Sequence, residues 1–144
     1  MGKTKRGYGE KLMAVADGAG LPLAIDACSA TSHEVTLVTA TLAETLTQEL
    51  PDRLIGEKAY DSDGLEAELA AAQIEMIAPH RKTHQQPTQD GRALRRYARR
   101  WKVERLFAWL QSFRRIATRF ESHIENYLGF IHLGCSRILL RAYL

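Results

Sequence analysis

Long apolar runs are missing from this 144-residue chain. No stretch approaches the roughly 18 consecutive apolar residues that a membrane-spanning helix needs. The opening Met1-Gly2-Lys3-Thr4-Lys5-Arg6 leads into no apolar signal-peptide core. These features give the expectation of a cytoplasmic protein. Cysteine is scarce: Cys28 and Cys135 lie far apart with no partner motif, which argues against a disulfide framework and predicts reduced, buried thiols. The five histidines are scattered. His80 and His84 stand four apart, but Pro79 and Pro87 flank them and no third ligand accompanies them, so no zinc motif is present. Gly2-Lys3-Thr4 lacks the preceding strand and glycine of a phosphate-binding loop. No internal repeat is found.

The most informative absence is of acids. Residues 92–119 hold ten Lys/Arg and one carboxylate, Glu104. The formal net charge of +3 conceals this: residues 1–91 carry 8 Lys/Arg against 14 Asp/Glu, a balance of −6, and residues 92–144 carry 12 against 3, a balance of +9. Such a split predicts that the C-terminal part meets a polyanion while the N-terminal part holds carboxylates for other reasons.

What is present is 45% apolar residues, enough for one domain with a modest core. Residues 10–17 and 21–27 read as strands around the turn signal Asp17-Gly18-Ala19-Gly20. A helix is expected from about residue 32 to residue 50, with Val35, Leu37, Val38, Leu42 and Leu46 roughly on one side. Pro51-Asp52 ends it. Residues 53–56 form a short strand, and Ser62 or Asp63 is placed to cap the following helix, with Leu65 and Leu69 inward. Residues 74–78 form another strand and 80–91 a polar loop. A long helical pattern runs from 92 to about 120, and a last apolar helix covers about 124–143. Strands alternating with helices define an α/β layer fold. An opening hairpin suits the second and third strands of a mixed sheet whose first strand lies upstream.

On a wheel of about 100° per residue, Val103, Leu106, Phe107, Leu110, Phe113 and Ala117 form a buried stripe. Tyr97, Arg100, Glu104 and Gln111 cluster about a quarter-turn away. A lone carboxylate thus sits at the edge of the buried face, one turn after an arginine. An ordinary solvated Arg–Glu pair would have the same spacing.

Tyr97-x2-Arg100-x3-Glu104 resembles the Y-x2-R-x3-E-x6-K signature of insertion-sequence transposases with a DDE catalytic domain. The stretches 99–105 (Arg-Arg-Trp-Lys-Val-Glu-Arg) and 107–110 (Phe-Ala-Trp-Leu) are similar to the region around the catalytic glutamate in the "five" family of these elements, and Phe113-Arg114-Arg115 follows at the matching place. Residues 2–7 and 11–17 resemble that family's second strand, and 54–61 (Leu-Ile-Gly-Glu-Lys-Ala-Tyr-Asp) the segment carrying its second aspartate. The resemblance covers nearly the whole chain. It implies an incomplete RNase H-like mixed sheet flanked by helices and lacking the first strand. Residues 1–144 would be the C-terminal part of the catalytic domain, with 92–144 its basic helix plus apolar C-terminal helix. It also implies metal-dependent DNA strand cleavage and transfer with Mg²⁺ or Mn²⁺. Glu104 and Glu57 would be the metal carboxylates. Tyr97, Arg99, Arg100, Lys102, Arg105, Arg114 and Arg115 would contact the DNA of the transposon ends, and Trp101 would pack beside it. The implied setting is bacterial, nucleoid-associated when on DNA, with a homo-oligomer or an upstream transposase part as protein partner.

The chain departs from the pattern at three places. No segment matches the strand of the first aspartate. The second aspartate falls at Glu57, whose longer side chain displaces the carboxylate oxygens. The lysine of the signature is Gln111. Asp17 and Asp61 read as turn residues rather than substitutes. The expectation is a frameshift half or truncated remnant that does not cut DNA alone; the rival is a non-catalytic DNA-binding regulator derived from a transposase.

Overall fold

The structure is a computed structural model that describes residues 2–4, 7–45, 47, 50–80 and 95–144. Strands β1 (Gly2–Thr4), β2 (Gly7–Ala16) and β3 (Pro22–Ser29) form an antiparallel sheet in the order β1-β2-β3. The predicted hairpin is therefore present, and its strands are longer than expected. Its turn is built by Asp17, whose Oδ1 accepts hydrogen bonds from the backbone N–H of Ala19 and of Leu21, both at 2.8 Å. Gly20 supplies the left-handed residue, with φ of 84°.

Period-two alternation along β2 directs the rest of the fold. Leu12, Ala14 and Ala16 pack on one core, together with Ile25, which stands directly opposite Ala14 in β3. Val15 faces the other core, and the Met13 sulfur accepts from the Tyr60 hydroxyl on that side. Both faces of the sheet are thereby covered, as an α/β layer fold requires.

On the Val15 side lie α1 (Glu34–Ala43) and α2 (Asp63–Ala71). Val38 and Leu42 meet Leu65 and Leu69, each under a tenth exposed. The helix expected to reach residue 50 stops at Ala43, because Thr45 turns back to bridge Ala24 of β3; Leu46 lies outside the described residues. Short parallel strands β4 (Arg53–Ile55) and β5 (Glu75–Ile77) form a second sheet, and Leu54 and Met76 add to the same core. Between them run a 3₁₀ turn (Lys58–Tyr60) and α2. Ser62 is the residue before α2, as expected, but its side chain makes no capping bond. Gln73, at φ 61°, closes α2 in the left-handed region. The strands thus form two small sheets in a mixed α/β arrangement.

The other layer holds α3 (Trp101–Gln111), α4 (Arg114–Ala117) and α5 (Ile124–Tyr143). The last helix has the boundaries its pattern predicted, and it buries Tyr127, Ile131, Gly134, Cys135 and Ile138, one stripe at helical spacing. The continuous helix expected over 92–120 is corrected. Residues 81–94 lie outside the described ones; beyond them helical residues 95–97 give way to a turn at 98–100 before α3, and a second interruption falls at Phe113, whose backbone is extended (φ −87°, ψ 118°). Packing causes the break. A straight helix would turn Ala117 inward; the interruption buries Ile116 at 5% exposure and leaves Ala117 exposed. Ile116 closes over Gly134, where no side chain stands in its way.

Candidate nucleic-acid interface

The two segments that carry the sequence-predicted carboxylates meet. Glu57 immediately precedes the 3₁₀ turn, two residues past the end of β4. Arg100 precedes α3, 43 residues further on, and its Nη1 donates to Glu57 Oε1 at 3.3 Å and to the Tyr97 hydroxyl at 3.0 Å. The same guanidinium lies over the Tyr97 ring, 5.1 Å from its centre. Glu57, Arg100 and Tyr97 therefore form one cluster. Its acid and base are well exposed, 61% for Glu57 and 44% for Arg100, so as an ion pair it contributes little to stability. Glu104 stands in the first turn of α3, exposed, and has no ion pair among the described residues.

Two of the predicted DNA-contacting cations are engaged within the fold. Lys102 donates its ammonium to the carbonyl of Gly18, and Arg105 donates Nη2 to that of Ala19. Both act on the hairpin turn. Arg105 is also held between two indoles: its guanidinium carbon lies 4.9 Å from the ring centre of Trp101 and 4.8 Å from that of Trp109. The one-turn spacing of these three residues on α3 produces the stack. Its Nε is buried without a hydrogen-bond partner among the described residues. Arg99, Arg114 and Arg115 are exposed, and Arg115 also lies over the Phe130 ring at 5.0 Å and 3.6 Å from Glu121.

Sequence reasoning missed two sites of charge pairing. Arg119 bonds the Glu10 carboxylate and the carbonyls of Glu121 and Ser122, and stacks on Tyr127. The Tyr127 hydroxyl in turn donates to the Ile116 carbonyl at 2.9 Å. Burial, with lesser help from Glu10, raises the Tyr127 phenol pKa. This network ties β2 to the connection between α4 and α5, and nothing in the sequence distinguishes Arg119 from its basic neighbours. The second site is Asp61, with its side chain only 2% exposed and Oδ1 2.9 Å from His80 Nδ1. It terminates the 3₁₀ turn, as its turn reading requires, but it also pairs with a residue 19 positions on.

Among the described residues, no group of three or more His, Cys, Asp or Glu side chains could hold a metal ion. Glu57 is turned to Arg100, and Glu104 belongs to no such group. The donor set described is therefore too small for a resident Mg²⁺ or Mn²⁺, which takes several oxygen ligands. Nor is any helix among these residues long and apolar enough to cross a membrane.

The chain matches the family model of the transposase DDE domain over residues 1–139. It is 35% identical over 136 residues to a Brucella ovis protein named for the transposase of insertion sequence element IS6501, covering 91% of this chain and 98% of that relative. It is also 35% identical over 88 residues to a Burkholderia cepacia protein named for the transposase of element IS402, covering 61% of this chain and 38% of the relative. The chain thus spans about two fifths of the second relative's length. No solved structure matches it. The chain belongs to the transposase DDE domain family, whose members act on DNA and generally use divalent metals.

Proposed function

We propose that this chain serves in DNA transposition as the C-terminal part of a transposase catalytic domain of RNase H-like architecture. It binds the DNA of the element's ends on nucleoid DNA. The observation that carries this reading is the Glu57–Arg100–Tyr97 cluster, because it joins the two segments that resemble the family's second and third carboxylate regions. Tyr97, Arg99, Arg100, Arg114 and Arg115 contact the phosphate backbone, a role that fits the +9 balance of residues 92–144, while Lys102 and Arg105 hold the hairpin turn against α3. Glu104 and Glu57 are its catalytic carboxylates.

Metal-dependent cutting needs more carboxylate oxygens than this pair offers. A further strand added to β2 would be their source. β2 pairs with β3 along residues 10–16 and with β1 only through Gly7–Gly9, and β4 pairs with β5. Val15 and Leu54 share one core, so a further strand between these sheets would lie over an apolar layer already formed. The chain alone then binds DNA without cutting it. A regulatory role, competing with a complete transposase for the same ends, is the second reading, favoured by the ion pair that occupies Glu57.

The test is a binding and nicking assay on the chain with duplex element ends. Binding should fall steeply with salt, persist in EDTA, and survive Glu104→Gln; nicking in Mg²⁺ or Mn²⁺ should be absent. No binding at low salt would refute the DNA reading, and Glu104-dependent nicking would refute the incomplete site.

A further inference from the structure

The C-terminal ends of α3 and α5 and the end of the hairpin turn enclose a groove of about 360 Å³. Trp109, Phe113, Arg137 and Arg141 line it, with Ser112 and Leu21 between them. Its chemistry has two parts. Arg137 and Arg141 stand one turn apart on α5, both exposed, and no acid follows Glu125 in the sequence. The groove lining itself contains two cations and no anion. The other part is aromatic. Trp109 packs against Arg105 and is still 37% exposed, so part of the indole remains open to a ligand. Phe113 lies under the Arg137 guanidinium at 5.7 Å. The helix break at Phe113 is what brings that ring to the groove instead of continuing α3.

We propose that this groove is a subsite for one unpaired DNA strand, in which a base stacks on Trp109 while Arg137 and Arg141 neutralise successive phosphates. The inference rests on the DNA reading above and adds residues to it. Duplex DNA would offer the arginines phosphates but would present no free base face to the indole, so the pairing of aromatic and cationic lining favours a single strand. The volume is in the range of small-ligand pockets. Strand unpairing at a transposon end would create such a substrate.

The test compares a short single-stranded oligothymidylate with a blunt duplex, using the full chain. Trp109→Leu should lower affinity for the single strand by roughly tenfold or more and leave duplex affinity within about twofold, with the salt dependence unchanged. Arg137→Gln with Arg141→Gln should reduce the slope of log affinity against log salt by about 1.4, near 0.7 per lost phosphate contact on a single strand. Arg137→Lys should keep the slope. In the unaltered chain, a photoreactive iodouracil strand should crosslink to the peptide containing Trp109 and Phe113. Unchanged single-strand affinity in the Trp109 variant, or crosslinks confined to other peptides, overturns the subsite while the DNA reading stands. Loss of self-association in place of DNA affinity would assign the groove to a second copy. A chain that binds neither form of DNA removes both proposals.

Discussion

The contact of Gly134 with Ile116 allows a quantitative test of the helix break. A Cβ at residue 134 would stand 2.8 Å from Ile116 Cδ1, 3.2 Å from Leu110 Cδ2 and 3.6 Å from Phe113 Cδ2. Two effects oppose each other in Gly134→Ala. Helix propensity favours alanine by about 1 kcal/mol. Overpacking a filled core costs about 1–3 kcal/mol. Because Ile116 is 5% exposed and sits in a four-residue helix tied at both ends, it has little room to yield, and overpacking should win by about 1 kcal/mol. Ile116→Val alone should also cost about 1 kcal/mol. That change deletes Cδ1, the atom in the way. The double variant should therefore recover the propensity gain and fill the vacated space, ending close to the parent protein. The expected coupling is about 1–2 kcal/mol, read from urea denaturation of all four proteins at constant slope. Additivity within about 0.3 kcal/mol would refute the contact. Ala117→Gln provides the control: at this exposed position stability should change by less than about 0.5 kcal/mol, whereas an uninterrupted helix would bury that side chain.

Other outcomes follow from local geometry. Gln73→Gly removes a side chain from the left-handed region at the end of α2 and should stabilise by about 0.5–1 kcal/mol in thermal or chemical melts. Gly20→Ala places a Cβ at φ 84° and 2.5 Å from Arg105 Nη2; it should cost about 1–3 kcal/mol and shift tryptophan emission, because Arg105 rests between the two indoles. The two thiols give a pH signature. Burial, joined at Cys28 by the hydrogen bond to Asp26, raises Cys28 from 9.0 to about 11, and burial raises Cys135 from 9.0 to about 11. Between these values the unfolded chain releases protons that the folded one keeps. Their contribution is therefore complete below pH 9 and lost as pH rises toward about 11. Cys28→Ser with Cys135→Ala should flatten the alkaline fall in stability; an unchanged profile would count against burial as its cause. In DNA binding, Glu104→Gln should leave affinity within about twofold, since removing a negative charge beside a cationic face can only help phosphate contact.

The elements legible in the sequence are those in which one local signal sufficed. The hairpin turn followed from Asp17 and Gly20, and α5 from an apolar stripe of constant spacing bounded by polar residues. The break at Phe113 was hidden because Phe113 and Ala117 both fit the stripe of a straight helix; only the vacancy at Gly134, contributed by another helix, selects Ile116 instead. The same limit applies to the candidate site. The one-turn relation of Arg100 to Glu104 is visible on a wheel, but the contact of Arg100 with Glu57 spans 43 residues and depends on tertiary packing. Lys102 and Arg105 looked like open cations, since no sequence pattern shows that the carbonyls of Gly18 and Ala19 come to meet them.

The alternation along β2 has a consequence for how this strand can change. Leu12, Ala14 and Ala16 answer to the helices α3–α5, and Val15 to α1 and α2. The strand is a party wall: a one-residue insertion anywhere in it would exchange the two sets of tenants beyond that point. The exchange would keep both faces apolar, so it would not announce itself as a polarity error. It would instead put Val15 where small alanines leave space for Ile25 and the last helix, and alanines where the opposite core needs bulk. Point substitutions in β2 should be tolerated one side at a time, whereas length changes should damage both halves of the molecule at once.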